Sequence, residues 1–106
     1  MLTDKVLGLI GLSQKSGNVV SGEFSVETTV KEGKARLVLI ATDASDNTKK
    51  KFRNMAEYRH IPYVEYGTKE TLGHAMGRAE RSSAAVTDQG FAKAIMKILD
   101  GGNVNG

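Results

Sequence analysis

Between Lys31 and Asp43 the chain runs from a polar helix end, Lys31-Glu32, through Gly33 into Leu37-Val38-Leu39-Ile40-Ala41, an unbroken apolar stretch. The stretch is too short for a helix and too apolar for a strand with one wet face. Bounded by Gly33 and Asp43, it fits a central strand covered on both faces, and hence a small α/β sandwich. Scaffolds of this kind carry their ligands on loops at the strand ends.

The remaining pattern builds outward from that strand. Leu2, Val6, Leu9 and Ile10 share one face of a first helix that Thr3 or Asp4 can cap, while Gly8 and Gly11 weaken it but permit close packing. After Gly17, Val19-Val20 predicts a short strand. Ser21-Gly22-Glu23 then opens a second helix, with an acidic first turn suited to its dipole, ending at Gly33. Ser45-Asp46 starts a third helix with Thr48, Phe52, Met55 and Ala56 inward and Lys49, Lys50 and Arg53 outside, and Pro62 marks its end. Tyr63-Val64-Glu65-Tyr66 predicts a strand, Thr68 caps a short helix to about Met76, and Ser83-Ala84-Ala85-Val86 predicts the fourth strand. Asp88 caps a last helix that buries Phe91, Ile95, Ile98 and Leu99. The alternation predicts a four-stranded sheet between helices, α-β-α-β-α-β-α-β-α. Residues 1–100 are expected to form a single domain. Residues 101–106, Gly-Gly-Asn-Val-Asn-Gly, bury too little to order themselves and are expected to be a flexible tail.

Composition removes several function classes. The 106 residues contain no cysteine, so there is no disulfide framework, and the first residues lack the basic start and apolar core of a secretory signal. No window approaches the ~20 apolar residues of a membrane span, so a cytoplasmic protein without a membrane role is expected. The net charge of +3 suits a polyanionic partner but is also common among plain soluble proteins. His60 and His74 are the only histidines, so zinc would lack its usual ligands. Asp43, Asp46 and Asp88 follow strands, where carboxylates sometimes hold magnesium, but Asp46 and Asp88 also stand where helix caps are needed. The glycines of Leu72-Gly73-His74-Ala75-Met76-Gly77 close a helix, unlike a dinucleotide fingerprint, and suit close backbone packing and a turn. No catalytic residue, metal or cofactor is expected.

The second helix carries a sharper feature. If Val26 and Val30 face the core, Phe24 lies about 200° around the helix and faces outward, on a stripe with Thr28 and Lys31. The ring then either folds over the preceding loop or serves as a contact at a helix start whose free N–H groups suit phosphates or base edges. Aromatic rings in such places stack on unpaired bases.

Gly22 opening a helix, Gly33-Lys34-Ala35-Arg36-Leu37-Val38-Leu39-Ile40-Ala41, Ile61-Pro62-Tyr63 and Leu72-Gly73-His74-Ala75-Met76-Gly77 together resemble the kink-turn-binding ribosomal protein superfamily named for proteins L-seven-Ae and L-thirty-e. The resemblance covers about residues 4 to 95. Ala41-Thr42-Asp43-Ala44-Ser45-Asp46-Asn47-Thr48-Lys49-Lys50-Lys51 and Asp88-Gln89-Gly90-Phe91-Ala92-Lys93 are most similar to its bacterial YlxQ-like branch. The resemblance implies a three-layer α/β/α sandwich with a four-stranded mixed sheet, L-thirty-e-like. It also implies RNA binding without catalysis, in association with ribosomes or other structured RNA.

Relatives usually read Gly-x-Asn-Glu-x-x-Lys at the second helix; here the positions hold Gly22, Phe24, Ser25 and Thr28, and Gly22 alone is kept. The Asn and Glu of that pattern bond guanine edges in the sheared pairs of a kink-turn, so phenylalanine, serine and threonine remove most of that readout. The second contact loop, apolar in many relatives, reads Arg78-Ala79-Glu80-Arg81. Its arginines can grip phosphate or stack on a flipped base, or remain solvated loop charges. On its own the basic stretch Lys49, Lys50, Lys51 and Arg53 reads as a solvated exterior; on the side of Gly22 and Arg78 it extends a phosphate track, and on the opposite side it suits a protein or second-RNA contact. The resemblance thus assigns RNA contact to Ser21, Gly22, Glu23, Phe24, Ser25, Thr28 and Lys31, together with Arg78, Ala79, Glu80 and Arg81. The expected partner is a kink-turn or other ribosomal RNA, with the ribosome or RNA-processing proteins as further partners. Two alternatives stay open. One is a protein–protein module that has lost RNA readout and uses Phe24 as an anchor. The other is a detached recognition domain of an RNA-modifying enzyme, since similar domains precede some RNA methyltransferases.

Overall fold

The computed structural model describes residues 4–104, with the side chains of residues 4–100. The elements are α1 (Lys5–Lys15), β1 (Val19–Ser21), α2 (Glu23–Lys31), β2 (Leu37–Ile40), α3 (Asp46–Tyr58), β3 (Tyr63–Glu65), α4 (Lys69–Ala75), β4 (Ser83–Val86) and α5 (Gln89–Val104). The apolar stretch is the central strand expected: all four residues of β2 are buried, as are the four of β4 beside it. The sheet order is β1-β4-β2-β3, with β4 antiparallel to both neighbours and β3 parallel to β2. The sheet is therefore mixed. α2 and α3 pack together over β1, β4, β2 and β3, while α1 packs with α4 and α5 and reaches β1, and α5 reaches β4. Val26, Val30 and Phe52 from one helix layer, and Val6, Ile10, Leu72 and Ile95 from the other, are all buried against the sheet. Such burial is the main favourable contribution to folding.

Local chemistry sets the helix starts. Asp4 accepts from the Leu7 amide, Thr68 and Thr71 form a reciprocal capping box, and Asp88 accepts from the Phe91 amide at 2.9 Å. At α3 the cap is Ser45, which accepts from the Thr48 amide, and Asp46 stands in the first turn. Thr48 is half-buried and bonded to Ser45, so it closes the helix start and does not point into the core. Leu2 and Thr3 lie outside the described residues.

Three boundaries differ from expectation. β1 includes Ser21, because its register continues to Ala84; β3 stops at Glu65, although the Tyr66 amide still donates to Ile40. α5 continues through Gly101 and Gly102 to Val104, where a flexible tail is expected from residue 101. Extending an existing helix needs no new nucleus, so two residues of poor propensity need not stop it. Residues 105 and 106 lie outside the description.

The register gives the sheet two distinct ends. Ser21, Ile40 and Ser83 lie at one, and Val19, Leu37, Tyr63 and Val86 at the other.

Candidate functional site

At the first of these ends the chain turns from β1 into α2 through Gly22, whose φ of 95° and ψ of 147° suit glycine and strain other residues. Its N–H donates to the Ser83 carbonyl at 3.1 Å and its own carbonyl accepts from Val26 at 2.9 Å. The turn is thereby tied to β4 on one side and to the helix on the other. Gly22 has no side chain with which to cap α2. Among the described residues the amides of Glu23, Phe24 and Ser25 have no hydrogen-bond partner. Such amides, at the positive end of a helix, accept an anion readily.

The loop after α4 is pressed against that helix by a glycine. A methyl group on Gly73 would stand 1.5 Å from the Ala79 carbonyl oxygen, so no larger residue fits while the loop keeps its path. Arg78 donates its amide to the Gly73 carbonyl at 2.8 Å, and Gly77, at φ 68°, makes the turn between them. Close packing at Gly73 and a turn at Gly77 are the two roles expected from the sequence. Arg81 then crosses to β1: its Nε donates to Ser21 Oγ at 3.2 Å, and its Nη1 to the Glu80 carbonyl at 2.8 Å. Neither Arg78 nor Arg81 joins an ion pair among the described residues. Both arginines, with Ser21, Ser25 and Gln14, line an open depression of about 330 Å³.

Phe24, the residue before Ser25 on α2, is 83% exposed, while Val26 and Val30 are fully buried, as their spacing requires. Glu23 turns aside to Lys51 of α3, whose Nζ is 2.9 Å from Glu23 and 2.7 Å from Glu27. Hydrogen bonds from Lys51 and then Lys31 hold the Glu27 carboxyl down at about 2, and the bonds to Glu27 and then Glu23 raise the Lys51 ammonium. Lys31 is bonded to Glu27 at 2.9 Å and lies about 10 Å along α2 from Phe24. The expected residues therefore divide. Ser21, Ser25, Arg78 and Arg81 line one depression, with Gly22 and Phe24 next to them in the chain; Ala79 and Glu80 contribute backbone to the loop; Glu23, Thr28 and Lys31 lie along the flank of α2.

The basic stretch of α3 does reach the side of the Gly22 turn, but most of its charge is already engaged. Besides Lys51, Lys49 and Arg53 approach Glu65 at 3.6 and 3.3 Å. A hydrogen bond from Tyr63 is the first cause that holds Glu65 low, and burial, then Glu65, pushes the Tyr63 hydroxyl up to about 12. Lys49, Lys51 and Arg53 are thus each paired with a carboxylate of the chain itself, whereas the exposed Lys50 joins no ion pair among the described residues. Asp43 and Asp88 are likewise occupied, bonding the amides of Lys69 and Phe91 at the starts of α4 and α5. Gln14 is the contributor that sequence reasoning misses. Nothing local marks it, since it meets the two arginines only through the packing of α1.

A profile of the ribosomal protein L7Ae/L30e/S12e/Gadd45 family matches residues 4–96. The protein named RNA-binding protein YlxQ in Bacillus subtilis (strain 168) is 40% identical over 92 residues, covering 87% of this chain and 92% of that protein. Its namesake in Enterococcus faecium is 32% identical over 97 residues, covering 92% and 93%. Among solved structures, a protein with unknown function from Bacillus halodurans C superposes with a TM-score of 0.89 at 33% identity, covering 92% of this chain and 99% of that one. A Giardia lamblia 15.5kD RNA binding protein superposes at 0.78 with 23% identity, covering 95% and 92%, a likeness of fold.

Proposed function

The chain belongs to the ribosomal protein L7Ae/L30e/S12e/Gadd45 family, and from that premise we propose that it is a non-catalytic, cytoplasmic RNA-binding protein that holds a kink-turn or similarly bent RNA between the Gly22 helix start and the Arg78 loop. The observation that carries this reading is the bond from Arg81 to Ser21, which joins the two contact elements across one open depression. The names of the YlxQ relatives support RNA as the ligand. Phosphates would lie against the free amides of Glu23, Phe24 and Ser25 and against the two guanidinium groups, which supply most of the affinity. Phe24 would stack on an unpaired base where relatives use polar readout of guanine edges, so the protein reads shape more than sequence. Ribosomal RNA is the natural setting for such a target, with ribosomal or RNA-processing proteins as neighbours.

The test is fluorescence anisotropy with a kink-turn RNA, a matched duplex and a bulge-only control at two salt concentrations. Tighter binding to the kink-turn, weakening steeply with salt, is expected. Equal binding to all three would sink the shape-reading claim. The exposure of Phe24 favours one second reading, a protein contact anchored on that ring. That contact would persist at high salt, where RNA binding is lost.

A further inference from the structure

We propose that the opposite end of the sheet is a second nucleic-acid surface, which takes an unpaired strand by stacking a base on Tyr58 and holding its phosphates with Arg36, Arg59 and His60. The proposal extends the RNA-binding reading to a separate surface and keeps its own test.

The register brings the pieces together. Arg36 precedes β2, Ile61-Pro62 precede β3, and Gln89 follows β4, so all stand at the end marked by Leu37, Tyr63 and Val86. There Arg36, Arg59, His60, Pro62 and Gln89 line an open depression of about 300 Å³. Arg36 and Arg59, like Lys50 of α3, join no ion pair among the described residues, whereas Lys49, Lys51 and Arg53 are paired with carboxylates. Among the described residues the one hydrogen bond from the Arg36 side chain is a long one, 3.3 Å to the Gly33 carbonyl. Nearby carboxylates are largely committed, Asp88 to the Phe91 amide and Glu32 to Lys34 at 3.4 Å. Glu57, on the last turn of α3, is exposed.

Two further features select the ligand. Tyr58 is 80% exposed on that last turn, and the Arg59 guanidinium stands 5.8 Å from its ring centre. An exposed ring beside an unpaired arginine is a stacking platform for a base, whose π-face it accepts without regard to sequence. His60 is the residue that ends α3: its amide bonds Glu57 and the next amide bonds Ala56, the paired bonds of a Schellman turn. That position calls for the left-handed conformation, and His60 adopts it at φ 59°, the single positive φ outside glycine among the described residues. Glycine would be easier there. His60 is exposed, and among the described residues its imidazole makes no hydrogen bond, so the ring is free to meet a phosphate. A duplex would hide its bases from Tyr58, so the fitting ligand is a single strand. With the body about 30 Å across, a partner occupying both ends must be a folded RNA that wraps the protein or two segments that it bridges.

The experiment is an amide-resolved NMR titration with an unstructured 12-nucleotide RNA, on the wild type, R36A/R59A, Tyr58→Ala, His60→Gly and R78A/R81A. Saturable shifts are expected at residues 34–36, 58–61 and 89, and they should persist in R78A/R81A. R36A/R59A should weaken binding at least tenfold and reduce the salt slope by about 1.4, the value for two phosphates on a single strand. His60→Gly should weaken binding severalfold while easing the backbone, so that loss cannot be ascribed to unfolding. Shifts confined to residues 21–25 and 78–81, no shift anywhere, or unchanged affinity in R36A/R59A would each overturn the proposal. Shifts at the Tyr58 end in a protein that fails the kink-turn test would keep this inference and remove the proposed function instead.

Discussion

At the Gly22 end of the sheet Arg81 is fastened to Ser21, the loop is locked against Gly73, and the helix amides are fixed in place. At the Tyr58 end Arg36 and Arg59 hang from a helix end and a strand entry, with one long hydrogen bond and one ring contact between them. Both ends offer an exposed aromatic and two arginines. The difference lies in how far the fold holds these groups before a ligand arrives. Fixed groups favour one RNA shape, because a mismatched shape leaves some of them unpaired; mobile groups tolerate many strands at lower affinity.

The sharpest way to break the contrast is at Gly73. Gly73→Ala should cost about 3 kcal/mol in urea unfolding, since the methyl group must displace the Ala79 backbone. It should also weaken kink-turn binding while leaving the NMR shifts at the Tyr58 end intact in whatever fraction remains folded. Next in size, R78A/R81A should lower the salt slope of kink-turn binding by about 2 units if both side chains touch phosphate. An unchanged slope in anisotropy titrations would remove the loop from the site. Phe24→Ala should cost about 1–3 kcal/mol of affinity for the kink-turn with little change in slope. An equal loss for duplex RNA would count against stacking. His60→Gly should raise stability by about 1 kcal/mol in chemical denaturation, because the left-handed position then carries no side-chain strain.

The smallest effect concerns acid. The Glu27 carboxyl is lowered to about 2 in the folded protein against an ordinary 4.5, so its contribution is complete above about pH 4.5 and is lost as the pH falls towards 2. Thermal midpoints of wild type and Glu27→Gln should therefore differ at pH 6 and converge by pH 2. A constant gap would mean that the Lys51 bridge does not hold in solution.

What could be read beforehand follows the range of the interactions. β2 was legible because four consecutive apolar residues admit few alternatives, and Phe24 was legible as outward because Val26 and Val30 fix the helix phase. The caps at Asp4, Thr68 and Asp88 use partners three residues away and so leave local marks. The bond from Arg81 to Ser21 joins residues 60 positions apart, and the bridge from Lys51 to Glu23 and Glu27 spans 28 and 24. Pairings at such distances are set by packing. For that reason the basic face of α3 looked available for phosphate, and Gln14 carried no signal at all. The run of α5 through Gly101 and Gly102 has another ground, since residue propensity understates how readily a helix already formed continues.

The central claim, that the Gly22 helix start and the Arg78 loop receive a bent RNA, is tested most directly by hydrogen exchange at individual amides. Glu23, Phe24 and Ser25 have no partner among the described residues, so their amides should exchange quickly in the free protein. Saturation with a kink-turn RNA should protect these three amides strongly. Unchanged exchange at all three, under conditions where anisotropy shows the RNA bound, would contradict the account.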